Sequence, residues 1–269
     1  MSRRRPAFDH LALAAITLAG IAVFVGPLFA GRRFPQGALL FSALIACAAL
    51  AVVALALQTH QLSTRLLVVL AALVAIDATL RLVIVIGLLG FSPIFFLVIG
   101  GGYVMGPGFG FALGSLTLLL SAALTAGFGP WLPYQMLAAG WVGMGAGYLQ
   151  QRRLVFLVLY GCVSGFAYGL LLDLWEWPFV LGAGTSPISW APGIGLPDLA
   201  RRFAGFYLST SLLYDTFRAA GNAALIAFLG KPVILALSRF RRRFLVDWVQ
   251  PSDARQTAAN IATDVRTPA

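Results

Sequence analysis

The sequence predicts an all-α, polytopic membrane bundle, and three observations carry that expectation. Of its 269 residues 60% are hydrophobic and only 10% charged, with a mean hydropathy of +0.89, more apolar surface than a water-facing globule of this length can hide. Apolar runs recur at about the 20-residue length that a helix needs to cross hydrocarbon. The excess of Lys+Arg over Asp+Glu, 19 − 9 = +10, gathers at the ends of those runs and near the chain ends, as positive loops facing the cytoplasm do. A nucleic-acid stripe would be laid out differently, so no binding to DNA or RNA is expected.

The first run, Leu11–Ala30, is longer than the roughly 7 to 15 apolar residues of a signal peptide, and another run follows at once, so an uncleaved span is expected. Ala38–Leu57, Leu66–Gly90, a short Ser92–Gly106, Gly108–Ala126, Pro133–Gln150, Leu154–Leu174 and Tyr207–Leu237 complete about eight spans, the last long enough to include an interfacial end. With the amino terminus inside, Arg3-Arg-Arg5, Gln151-Arg-Arg153 and Arg239-Phe-Arg-Arg-Arg243 all fall in the cytoplasm, and Arg32-Arg33 alone opposes the rule. The expectation is a multi-pass protein of the cell membrane with both termini cytoplasmic. Residues 1–65 form an amino-terminal membrane extension of two spans, 66–245 a six-helix core, and 246–269, polar and without periodicity, a disordered cytoplasmic tail.

That topology makes Trp175–Phe206, with Trp177, Trp190 and several prolines, the longest outer loop, and a loop of such length calls for a lid or a binding role. It also puts Gly129-Pro-Trp-Leu-Pro133 at an outer turn. Proline pre-sets the backbone, and the helix can restart with Pro133 in its first turn, which would fix Trp131 and Gln135 at the mouth of any pocket. Gly102, Gly106, Gly110 and Gly114, and again Gly161, Gly165 and Gly169, recur every four residues, the small-xxx-small spacing that lets helix backbones touch in lipid.

Ionisable groups at membrane depth are costly, so each needs a partner, a cavity or a task. Asp77 and Arg81 stand one turn apart, close enough to neutralise each other. Asp215, Arg218 and Asn222 share one face of the last span, beside Tyr214. Counted by depth, Arg81, Gln135, Asp173, Asp215 and Arg218 all lie in the outer half, on four separate helices. They point to an outward-opening cavity with apolar walls and a few polar anchors; a polar network that only braces the bundle is the alternative. The candidates for ligand contact are Arg81, Trp131, Gln135, Asp173, Asp215, Arg218 and Asn222, with Trp175 and Trp190 as lid aromatics.

Catalysis is not expected. His10 and His60 lie outside the spans, no histidine can activate Ser121 or Ser164, and neither HExxH nor GxSxG occurs. Cys47 and Cys162 sit alone in apolar runs and read as packing residues, so no disulfide, metal or cofactor is expected. Lys231 is the sole lysine and no GxxxxGK[ST] loop is present, so the chain cannot hold nucleotide phosphates and power transport by itself.

Gly106-Pro-Gly-Phe-Gly110 with Gly114 and Ser121, Gly129-Pro-Trp-Leu-Pro-Tyr-Gln-Met136, Gly165-Phe-Ala-Tyr-Gly169 with Asp173-Leu-Trp175, and Leu213-Tyr-Asp215 with Gly221-Asn222 and Gly230-Lys-Pro232 together resemble the substrate-binding S components of energy-coupling factor (ECF) transporters. Among these, the likeness is greatest to the subgroup of cobalamin-type carriers. It covers about residues 66–245, the six spans of an S-component core. Two features depart from the pattern: the two amino-terminal spans are an addition, and Arg218 stands where a histidine would be expected three residues after Asp215. The resemblance implies capture of a vitamin or related micronutrient at the outer face, with a separate membrane coupling subunit and two ATPases as partners, and toppling of the S component as a body. It also implies docking on the coupling subunit through an Ala-xxx-Ala patch, which Ala71 and Ala75 match. Rival expectations are an integral membrane enzyme acting on a lipid through Asp77, Asp173 or Asp215, and a structural assembly protein.

Overall fold

The computed structural model describes residues 64–84, 93–180 and 184–245, with scattered helical residues between 14 and 28. The second predicted span, His10, His60, Cys47 and the tail at 246–269 lie outside the described residues. Those described form α1 (Thr64–Ile84), α2 (Ile94–Met105), α3 (Pro107–Thr125), α4 (Leu132–Gly147), α5 (Leu154–Val180), α6 (Leu196–Thr210) and α7 (Leu212–Leu245), with no strand among them. Within these residues α3, α5 and α7 are long and apolar enough to cross a membrane, which marks a membrane protein.

α2 is the short central rod. Its 12 residues are almost wholly apolar, rise only about 18 Å and are nearly all buried, because α1, α3, α4, α5 and α7 all pack against it. At Gly106 the chain reverses into α3 through φ 109° and ψ 174°, a backbone region open to glycine and few others. The Gly106 amide still reaches the Gly102 carbonyl at 2.8 Å and Gly110 reaches Gly106 at 3.0 Å, so the reversal loses few hydrogen bonds.

Glycine sets the closest packing. α3 and α4 run antiparallel with Gly110 on Gly143, Gly114 on Ala139, and the Gly106–Pro107 link on Gly147. Gly102 of α2 meets the same Gly143 carbonyl. A Cβ at Gly102, Gly110, Gly114, Gly143 or Gly147 would overlap backbone atoms, which cannot step aside. α5 and α7 form a second antiparallel seam, with Gly161 facing Asn222 and Ile226, Gly165 facing Ala219, and Gly169 facing Asp215. Side chains bind this second pair to α2 and α4. Near Gly106, Arg241 donates to the Val104 carbonyl at 2.8 Å, Tyr103 to the Arg152 carbonyl at 2.7 Å, and Gly100 rests under Val233 and Leu237. Toward the other end the links are rings, Phe95 on Tyr168 at 4.7 Å and Tyr134 on Trp175 at 4.3 Å between centroids.

The carboxyl-terminal half departs from expectation. The segment from Trp175 to Phe206 is not one loop, since α5 continues to Val180 with Pro178 inside it, and the stretch from Leu196 onward belongs to α6. The last span does not begin at Tyr207; Ser211 breaks the helix, and α7 then runs to Leu245. Composition explains the break. α6 exposes the paired Asp198 and Arg201 and turns Leu199, Phe203 and Phe206 inward, with half-buried Arg202 beside them donating to the Ser189 carbonyl, the pattern of a helix that lies along an interface. Phe206 joins fully buried Trp177 and Trp190 in a small core of its own. The Trp177 indole pins the connecting segment by donating to the Ile188 carbonyl at 2.8 Å.

Candidate functional site

The α5–α7 seam places the polar residues of α7 over bare backbone. Where α5 lacks a Cβ, its carbonyls stay accessible: Asn222 donates to Gly161 at 3.1 Å and Arg218 to Gly165 at 3.3 Å. The Asp215 carboxylate lies over Gly169, in space that a Cβ would occupy. Arg218 and Asp215 pair directly, and the guanidinium stands 5.2 Å over the centroid of Tyr168, so it gains a carboxylate, a carbonyl and an aromatic face together.

α6 and the break after it close the cluster from the side. Tyr207 donates its hydroxyl to Asp215 Oδ2 at 3.0 Å, and Ser211 donates to Asp173 Oδ1 at 2.9 Å. Burial, and then the carboxylate it donates to, push the Tyr207 phenol well above its usual range. Asp173 Oδ2 is buried with no hydrogen-bond partner among the described residues. From α1, Arg81 donates to Ser121 of α3 at 3.1 Å and lies, like Arg218, within electrostatic reach of Tyr168. Arg81 does not neutralise Asp77: no ion pair joins them, and the guanidinium turns to Ser121 instead.

Arg81, Asp173, Asp215 and Arg218 are thus brought to one end of the bundle around Tyr168. Asn222 lies on the same α7 face but about 10 Å deeper, seven residues on. Trp175 is a core residue, stacked on Tyr134 and 5.8 Å from Phe179. Gln135 follows Tyr134 in the first turn of α4 and is half-buried. Pro133 sits in that first turn as expected, and Trp131 just before it is 44% exposed. Trp190 belongs to the separate core under α6. Ala71 and Ala75 are exposed on α1; Ala71 helps to line an apolar groove of about 470 Å³ with Leu67, Val74, Leu116, Leu120 and Phe128.

Sequence reasoning missed Tyr168, Tyr207 and Ser211. Tyr168 could have been found from its place between Gly165 and Gly169, where the glycine spacing already forces α7 close. Tyr207 and Ser211 were hidden by the expectation of one continuous helix through them. Among the described residues no His, Cys, Asp and Glu come together in a group that could hold a metal ion. In comparisons with known proteins, the chain matches no family model, no curated protein and no solved structure.

Proposed function

We propose that this chain is the substrate-capturing membrane subunit of an ECF-type importer, binding a vitamin-sized micronutrient at the outer face. One observation carries the proposal: charged and hydroxyl side chains from α1, α5, α6 and α7 gather at one end of an otherwise apolar bundle. Bracing two helices would not require so many ionisable groups at that depth, given what each costs in hydrocarbon. The Asp173 oxygen left without a donor is the acceptor for an N–H or O–H of the ligand, while Arg81 and Arg218 supply donors for its polar oxygens. Trp131 and Gln135 stand at the entrance, and α6 with Trp190 forms the cover. In this proposal α1–α5 and α7 are the six-helix core, the two amino-terminal spans are added to it, and both termini are cytoplasmic. Ala71 and Ala75, exposed on α1, are the docking patch for a membrane coupling subunit that works with two ATPases.

The test is a thermal-shift screen of the purified full-length chain against a panel of vitamins. A stabilising ligand is expected, with its effect abolished in Asp215→Ala/Arg218→Ala while far-UV circular dichroism stays that of the native helical protein. A panel without any stabilising compound, or a shift retained in the double variant, would overturn the assignment.

A further inference from the structure

Asp77 lies apart from that cluster, on the α1–α3 seam. It is fully buried, and neither carboxylate oxygen has a hydrogen-bond partner among the described residues. Across the seam stands Thr117 of α3, also fully buried, its hydroxyl turned to the Asp77 carboxyl but short of full hydrogen-bond geometry. The two helices run parallel in a register that sets Asp77 beside Thr117 and, one turn on, Arg81 beside Ser121.

The surroundings offer the carboxylate little else. α3 carries no ionisable residue. On α2 the single ionisable side chain is Tyr103, whose hydroxyl is engaged by the Arg152 carbonyl. On α1 itself Arg65 is exposed in the first turn, and Arg81 is turned away toward Ser121. An ionised carboxylate left dry and unpaired costs far more than a neutral acid in the same place. A neutral acid would also complete the pair, because its O–H can donate to the Thr117 oxygen and its carbonyl can accept the Thr117 hydroxyl.

We infer that Asp77 and Thr117 form a proton-binding site inside the bundle, in which the Asp77 carboxyl takes up one proton from water and holds it at neutral pH. The groove beside it runs along the same α1 stripe, Leu67, Leu70, Ala71 and Val74, which continues at helical spacing into Asp77 and Arg81. When the proton leaves, Arg81 is the cation within reach of the new charge, so proton release exchanges its Ser121 bond for one to Asp77. This inference does not depend on the importer proposal.

Infrared spectroscopy of the full-length protein in zwitterionic nanodiscs tests it directly. At neutral pH the wild type should show the carbonyl stretch of a protonated, hydrogen-bonded acid. Asp77→Asn, which copies the neutral acid in shape, should lose that band and keep the wild-type thermal midpoint. Thr117→Val should keep the band and move it to higher frequency, which gives an independent reading if the asparagine variant fails to fold. A wild-type spectrum without the band, or a band unaltered by both substitutions, would overturn the inference. So would a sodium-dependent rise in thermal midpoint that disappears in Asp77→Asn, since the occupant would then be a metal cation.

Discussion

Arg218 has its counter-charge, a carbonyl and an aromatic ring arranged around one guanidinium. Breaking such a buried pair strands the remaining charge, so Arg218→Ala should destabilise the protein by roughly 3 kcal/mol. The double variant with Asp215→Ala should lose less than the sum of the two single changes, and denaturation of the three variants in mixed micelles measures this. Tyr207→Phe removes the donor to Asp215 Oδ2 and should cost about 1 to 2 kcal/mol. Because folding raises the Tyr207 phenol above its ordinary value, its contribution should stay constant through neutral pH. It should fade only as pH climbs beyond the usual phenol range near 10. Pairwise comparison of wild type and Tyr207→Phe from neutral to strongly alkaline pH checks the sign. At this scale the sequence was partly legible. Spacing alone aligned Asp215, Arg218 and Asn222 on one face, since helical geometry fixes that. It could not show that Arg81 prefers Ser121 to Asp77, because the choice depends on which helix lies alongside α1.

For the helices, the glycine seams decide where substitution is tolerated. Gly143 abuts the Gly110 backbone, whereas Gly108, two residues before Gly110, has open space around the position of a Cβ. Gly143→Ala should therefore cost about 3 kcal/mol, the upper end for an overpacked core. Gly108→Ala should be neutral or gain up to about 1 kcal/mol from the helix propensity of alanine. The same denaturation assay separates them. A four-residue repeat predicts a close seam but does not say which glycine lies in it, and Gly108 is outside the repeat. The start of the last span was misread for a related reason. Tyr207, Leu208, Leu212 and Leu213 keep a run of apolar residues going through Ser211, while the break answers to Asp173 on another helix, which takes the Ser211 hydroxyl.

Across the whole molecule, the two ends differ in charge balance. Among the described residues, Asp173, Glu176, Asp198 and Asp215 lie toward the α6 end together with Arg81, Arg201, Arg202 and Arg218, while Arg152, Arg153, Arg239, Arg241 and Arg242 lie toward the Gly106 end with no acidic residue beside them. If the Gly106 end faces the cytoplasm, then in cells lacking Cys47 and Cys162 a membrane-impermeant maleimide should label Gly193→Cys from outside and spare Gln151→Cys until the membrane is opened. The reverse pattern would invert the proposed orientation. Helical class and membrane residence were legible from composition and run length, because the hydrocarbon layer imposes both. The position of each helix in the bundle was not, since the strips of small residues on α3, α4 and α5 permit several partners. The two backbone seams and the ring contacts between them also differ in stiffness. Carbonyls pressed on glycine Cα atoms cannot slide, and hydrogen bonds at Arg241 and Tyr103 tether α2 to α7 and to the α4–α5 link at one extremity. At the opposite extremity the links are ring contacts, Phe95 edge-on to Tyr168 and Tyr134 tilted on Trp175, which hold less firmly than backbone seams do. Any opening of the assembly is therefore expected to work as a pair of tweezers, pivoting beside Gly106 and parting Phe95 from Tyr168 and Tyr134 from Trp175.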